Sequence, residues 1–157
     1  MVELESCSCS SGLYAALTFH HARLEASARH VLSKLRLEGP AAARKSFESF
    51  KRELDAHLEA EEAWVLPAFA RARPDACAAI RAEHARVRQA AEAFERSVEG
   101  EGAERALHEL LDRLLYLCHL EEKDLCKWTE TEIGETESRA VLQKIEQAEL
   151  GERESAT

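Results

Sequence analysis

Runs of β-branched residues are nearly absent from this chain, and so is the apolar-polar alternation of half-buried strands, which excludes a sheet-built fold. No segment approaches the roughly 18 consecutive apolar residues that span a bilayer. The N-terminal "MVELESCSCSSG" carries acidic residues where a secretory leader carries Lys or Arg, and no cleavable apolar region follows it. An excess of positive charge is missing too: the formal net charge is -9 and the pI about 5.3, so nucleic-acid backbones and anionic membrane surfaces are poor partners. These absences lead to the expectation of a cytoplasmic protein that binds neither nucleic acid nor membrane. The five cysteines, Cys7, Cys9, Cys77, Cys118 and Cys126, are odd in number and show no C-x-x-C spacing. A zinc knuckle, a thioredoxin-like site and a disulfide framework are therefore not expected, and the thiols read as free.

What is present is helical. Ala, Leu, Glu and Arg dominate, with long stretches of helical period, and 157 residues at 45% hydrophobic content suffice for one domain with a sizeable core. The first helix is expected to run from a Ser10 or Ser11 cap to about Leu37, where "EGP" ends it. The second runs from about Pro40 to Ala72, with a kink or early end near Leu66 because Pro67 removes a backbone donor. "RPD" at 73–75 starts a third helix that reaches about Val98, "EGEG" makes a tight connection, and a fourth helix spans about Ala103 to Thr129. The fold class is all-α: an antiparallel up-down-up-down four-helix bundle with a short fifth C-terminal helix, since short connections force neighbours to run in opposite directions. The organisation is a flexible N-terminal arm with a C-x-C pair (1–11), the bundle (12–130), an accessory helix (131–150) bearing Val141, Leu142, Ile145 and Ala148, and a disordered tail (151–157).

Polar residues interrupt the rows that should be apolar. The second helix presents Phe47, Phe50, Leu54, His57, Glu61, Trp64 and Ala68 at steps of three and four. His21 falls in the row Tyr14, Leu17, His21, Leu24, Ala28, Val31 of the first helix, and is favoured over His20, whose row turns polar. His84 lies in the row Cys77, Ile80, His84, Val87, Ala91, Phe94 of the third. In the fourth, His119 falls in a row through His108, Leu111, Leu115, Glu122 and Cys126. One histidine in an apolar row is usually a satisfied core residue. Four of them in four helices, with Glu61 one turn beyond His57, are costly to bury unpaired, and a metal ion removes that cost. His30 and His108 lie too far from the central layer to share a metal with it.

The ordered set, an isolated His21, "HLEAE" on the second helix, "HARVR" on the third and "HLEEKD" on the fourth, resembles the hemerythrin-like HHE cation-binding domain over roughly residues 12–130. That resemblance implies a four-helix bundle around a non-haem centre of two iron ions bridged by carboxylates and an oxo or hydroxo group. His21 and His57 would bind one iron, His84 and His119 the other, and Glu61 and Asp124 would bridge. Dioxygen, nitric oxide or peroxide would be the small ligand, and a sensor would signal through a separate protein partner. Two departures bear on this. Arg88 stands where oxygen-carrying members have a second histidine, leaving one iron short of an imidazole and favouring sensing or redox chemistry over simple oxygen carriage; its guanidinium could pair with a carboxylate. Asp124 lies about 140° from His119 on a regular helix, whereas Glu122 lies only about 60° away and is the geometric rival. Glu62 falls off the row and reads as solvated or as a partner of a ligand.

Imidazole with carboxylate ligation suits Fe(II), with Mn or Zn as alternatives. Ferritin-like bundles require Glu-x-x-His on two helices and zinc proteases His-Glu-x-x-His, and neither pattern occurs. Two other functional readings remain: a peroxidase or oxidase on the same bundle, and a metal-free helical interaction module.

Overall fold

The computed structural model describes residues 12–155, so the C-x-C arm (1–11) and the Ser10 or Ser11 cap lie outside the described residues. α1 spans Gly12–Glu38. The second long segment (40–72) is continuous but composite: α2 (Pro40–Ala60), a π-helical turn (Glu61–Val65) and α3 (Leu66–Ala72). α4 covers Pro74–Ser97. The fourth segment (103–131) has the same pattern as the second, with α5 (Ala103–Glu121), a second π turn (Glu122–Cys126) and α6 (Lys127–Thr131). α7 (Glu135–Ser155) completes the order. The described residues contain no strand, and none of their helices is long and apolar enough to cross a membrane.

The expected disturbance at Pro67 takes a specific form. Proline cannot donate to the carbonyl one turn back. The helix widens just before it, where the Leu66 N–H bonds the Glu61 carbonyl five residues back, and Pro67 then sits in the first turn of α3, where a missing donor is harmless. The extra residue in the turn rotates the next stretch of helix, so Val65 and Phe69 enter the core while Trp64 and Ala68, expected in the buried row, stay half-buried. α7 also departs from expectation. It is helical to Ser155, so residues 151–155 are not the disordered tail that their composition suggested.

α1 packs along α2, α4 along α5, and α1 against α5. Along each helix the core is apolar on both sides of one polar layer. On one side lie Phe47, Phe50 and Phe94, with the Phe47 and Phe94 rings 4.8 Å apart. Leu13, Leu17, Leu66, Phe69 and Trp128 lie on the other, where the Phe69 and Trp128 rings are 5.4 Å apart. α7 lays Val141 and Ile145 against α1, α2 and the first π turn.

The α1–α2 corner is a single residue, Gly39, whose φ of 94° is closed to most side chains. A Cβ there would meet nothing within 4 Å, so the penalty in Gly39→Ala is one of backbone conformation alone. The substitution is expected to cost about 1–2 kcal/mol, lowering the melting temperature by roughly 2–8 °C with no loss of helix signal by circular dichroism.

Candidate metal centre

Each long segment delivers one part of the polar layer by continuing its apolar row. On α1 the buried residues Leu13, Leu17, His21, Leu24 and Ala28 recur at steps of three and four, so His21 is only 3% exposed. Phe47, Phe50, Leu54, His57 and Glu61 do the same in the second segment, and Cys77, Ile80, His84 and Val87 on α4. On α5 the row is Leu107, Leu110, Leu114, Leu117 and Glu121. Glu61, His84 and Glu121 are each 0% exposed.

The polar atoms converge. Glu61 Oε1 lies 2.9 Å from His57 Nε2 and 3.7 Å from His21 Nε2, while its Oε2 lies 3.3 Å from His84 Nε2. Glu121 Oε2 is 3.0 Å from His21 Nε2 and 3.9 Å from His57 Nε2, and its Oε1 is 3.0 Å from His84 Nε2. Donor atoms of His21, His57, Glu61 and Glu121 all fall within 4.8 Å of one another, close enough to ligate one ion. The outer nitrogens are held as well. His21 Nδ1 is 3.1 Å from Glu122, and His84 Nδ1 is 2.9 Å from Glu62, which Arg88 grips at 2.7 and 3.1 Å. With Nδ1–H donating to an outer carboxylate, Nε2 is left as the inward lone pair, the arrangement that prepares an imidazole for a cation.

The donor set fits a metal ion on a further ground. His57 Nε2 and both Glu61 oxygens are buried without an aligned hydrogen bond, although the 2.9 Å separation of His57 and Glu61 is short. Distance alone suggests a bond between them, and the poor alignment argues against it; the atoms point at a shared space more than at each other. Three imidazoles and two carboxylates buried together need a common partner.

Without metal, protons take that place. Burial alone pushes the imidazoles down, but the negative charge of Glu61 and the nearby carboxylate of Glu121 outweigh it, raising His57 to about 9. His84 is raised to about 10 in the same way, chiefly by its hydrogen bond to Glu121 and the facing carboxylate of Glu61, and His21 also ends well above 6.5. Burial raises the carboxyls, yet the imidazoles hold Glu61 well below its ordinary range and Glu121 below it. The raised imidazoles contribute stability that is full below 6.5 and is lost as pH climbs through about 9 and 10. The lowered carboxylates contribute stability present above 4.5 and lost as pH falls. Metal-free protein is therefore expected to have its highest melting temperature between about pH 5 and 6.5, falling on the acid side and falling progressively on the alkaline side until the imidazoles lose their protons near 9 and 10. A divalent ion must displace the imidazole protons, so its apparent affinity is expected to rise with pH up to about 9, by up to tenfold per unit for each proton displaced. Metal titrations in weakly coordinating buffers at pH 6, 7 and 8 check this.

The structure brings His21, His57, Glu61 and His84 together and leaves two expected ligands out. His119 is exposed, and Asp124 is half-buried in the second π turn with no bond to the cluster. The reason is the phase of α5. Its buried row runs through Leu114, Leu117 and Glu121, and His119 sits two residues from each of the last two, about 200° around the helix. The buried carboxylate that α5 brings to the layer is Glu121, which the sequence reading did not single out. The visible signal is the second Glu-Glu pair, Glu121–Glu122, which repeats Glu61–Glu62. Glu122 bonds His21, and Glu62 bonds His84 and Arg88, so both stand behind imidazoles of the polar layer. His30 and His108 are exposed, away from the layer. Burial pushes the Cys118 thiol up to about 12 and Cys126 higher still, so both remain protonated and apolar in character.

An all-α bundle with buried imidazoles and carboxylates gathered in one core layer defines a class: helical proteins with an interior candidate metal site. The hemerythrin HHE cation binding domain model matches residues 12–129, three-quarters of the chain, and the chain belongs to that family. No curated protein and no solved structure matches it.

Proposed function

We propose that the chain is a non-haem iron protein whose metal is held by His21, His57, Glu61, His84 and Glu121, and which binds dioxygen or a related small ligand in a sensing or redox role. The observation that carries this reading is the convergence of three Nε2 atoms on four carboxylate oxygens in a buried layer, with His57 Nε2 and both Glu61 oxygens unbonded. The oxygens of Glu61 face different imidazoles, as do those of Glu121, which suits two carboxylates bridging two metal positions. Imidazole and carboxylate donors favour Fe(II), with Mn and Zn as competitors. Iron bound there would supply Lewis-acid and redox chemistry toward a small ligand. The protein's own part is to orient and to exclude. Glu122 and Glu62 fix the rings of His21 and His84, and the apolar residues on both sides of the layer keep bulk water out. Single-residue and short connections at Gly39, Arg73 and residues 98–102 support reading the four long segments as an antiparallel bundle.

The test is metal analysis and optical spectroscopy of protein purified without oxygen and then exposed to air. One to two irons per chain and new near-ultraviolet charge-transfer bands are expected. A colourless protein without stoichiometric metal would refute the reading.

A further inference from the structure

The polar layer has an approximate internal two-fold pattern, and it is broken at one residue. Each half consists of a histidine from one helix and a Glu-Glu pair beside a π turn. His21 gives Nδ1 to Glu122 and Nε2 to Glu121; His84 gives Nδ1 to Glu62 and faces Glu61 and Glu121 with Nε2. The exchange is reciprocal, because His21 leans on the acidic pair of the fourth segment and His84 on that of the second. Each buried carboxylate directs one oxygen to the His21 side and one to the His84 side. Four residues before Glu61, on the same helical face, stands His57, whose Nε2 faces the His21 side. Four residues before Glu121 stands Leu117, buried at 2% exposure.

From this, resting on the metal-binding reading above, the geometry points to two unequal metal positions: a tight one at His21, His57, Glu61 and Glu121, and a weak, exchangeable one at His84 that Leu117 leaves short of an imidazole. The first position has four protein donors, two nitrogens and two oxygens. The second has three, His84 Nε2, Glu61 Oε2 and Glu121 Oε1. An isobutyl group has no lone pair to donate to a cation. Charge adds to the difference. Four residues beyond His84, Arg88 fixes its guanidinium on the carboxylate that holds the His84 ring. The residue four beyond His21 is Glu25, bonded to Arg29, so the matching position on α1 supplies no cation to the outer carboxylate of that side.

Loss of a partner behind a metal ligand already lowers affinity about 10–100-fold, so a missing ligand is expected to separate the two positions by roughly 100-fold or more. The 157-residue chain stripped of metal and titrated with Co(II), followed by calorimetry and visible absorption, is expected to bind one equivalent tightly and a second far more weakly. Leu117→His is expected to strengthen the second step by at least about tenfold, and His84→Ala to abolish it while one equivalent still binds. Should Leu117→His not fold, as judged by circular dichroism, His84→Ala decides alone. Two equally tight equivalents in the unaltered chain, or loss of all binding in His84→Ala, would overturn the inequality and leave the metal site standing. Failure of the unaltered chain to bind any Co(II) would overturn both.

Discussion

Glu121→Ala is expected to strip the protein of stoichiometric metal, with affinity falling by more than about 100-fold, while His119→Ala leaves metal content unchanged. Glu121 directs one oxygen to His21 and the other to His84, each at 3.0 Å, so its loss removes a donor from both sides of the layer at once. No neighbouring carboxylate can take over, since Glu122 is engaged with His21 Nδ1 and Glu62 with His84 and Arg88. His119 is exposed, and truncating it removes nothing from the core. Metal analysis of both variants, paired with circular dichroism to confirm that each folds, separates the two residues. The reverse outcome would return the ligand role to the face of α5 that carries His119.

Metal removal is expected to have the largest effect on stability. An ion bound only by the native state stabilises by about 4 kcal/mol at a free concentration a thousand times its Kd. For a chain of this length each kcal/mol moves the melting temperature by about 2–4 °C, so chelation is expected to lower it by roughly 8–16 °C. The metal-free chain should still fold, because the imidazole protons neutralise the carboxylates below about pH 9. Raising pH from 7 to 10 is expected to destabilise the metal-free form and to leave the loaded form nearly unchanged. A melting temperature indifferent to chelation would favour the helical interaction module, whose inward histidines are only hydrogen-bonded.

The bundle and most of the buried polar layer were legible because three helices carry a clear apolar row. His21, His57 and His84 interrupt rows otherwise made of Leu, Val, Ile, Phe and Ala, and Glu61 follows His57 by one helical turn. α5 was not legible in the same way, since it is apolar over a broad arc. Leu107, Leu110, Leu114 and Leu117 compete with Leu111, Leu115 and Cys118, so several phases satisfy the pattern, and the phase that would bury His119 is not the one the structure adopts. The π turns could not be read from propensity either. Pro67 accounts for the first, but the second, over Glu122–Cys126, contains no proline. Both begin at or one residue beyond a buried glutamate, the kind of place where such turns re-aim side chains at functional sites. The π turn also moves Phe69 into the core in place of Ala68, a change of phase that no count at 3.6 residues per turn reproduces.

The most direct test of the centre is anomalous diffraction from crystals of the metal-loaded protein, recorded above and below the metal absorption edge. A peak is expected between the carboxylates of Glu61 and Glu121 on the side of His21 and His57, with any second, weaker peak on the side of His84. An anomalous peak at His119 and Asp124, or a loaded crystal with no peak inside the bundle, would contradict it.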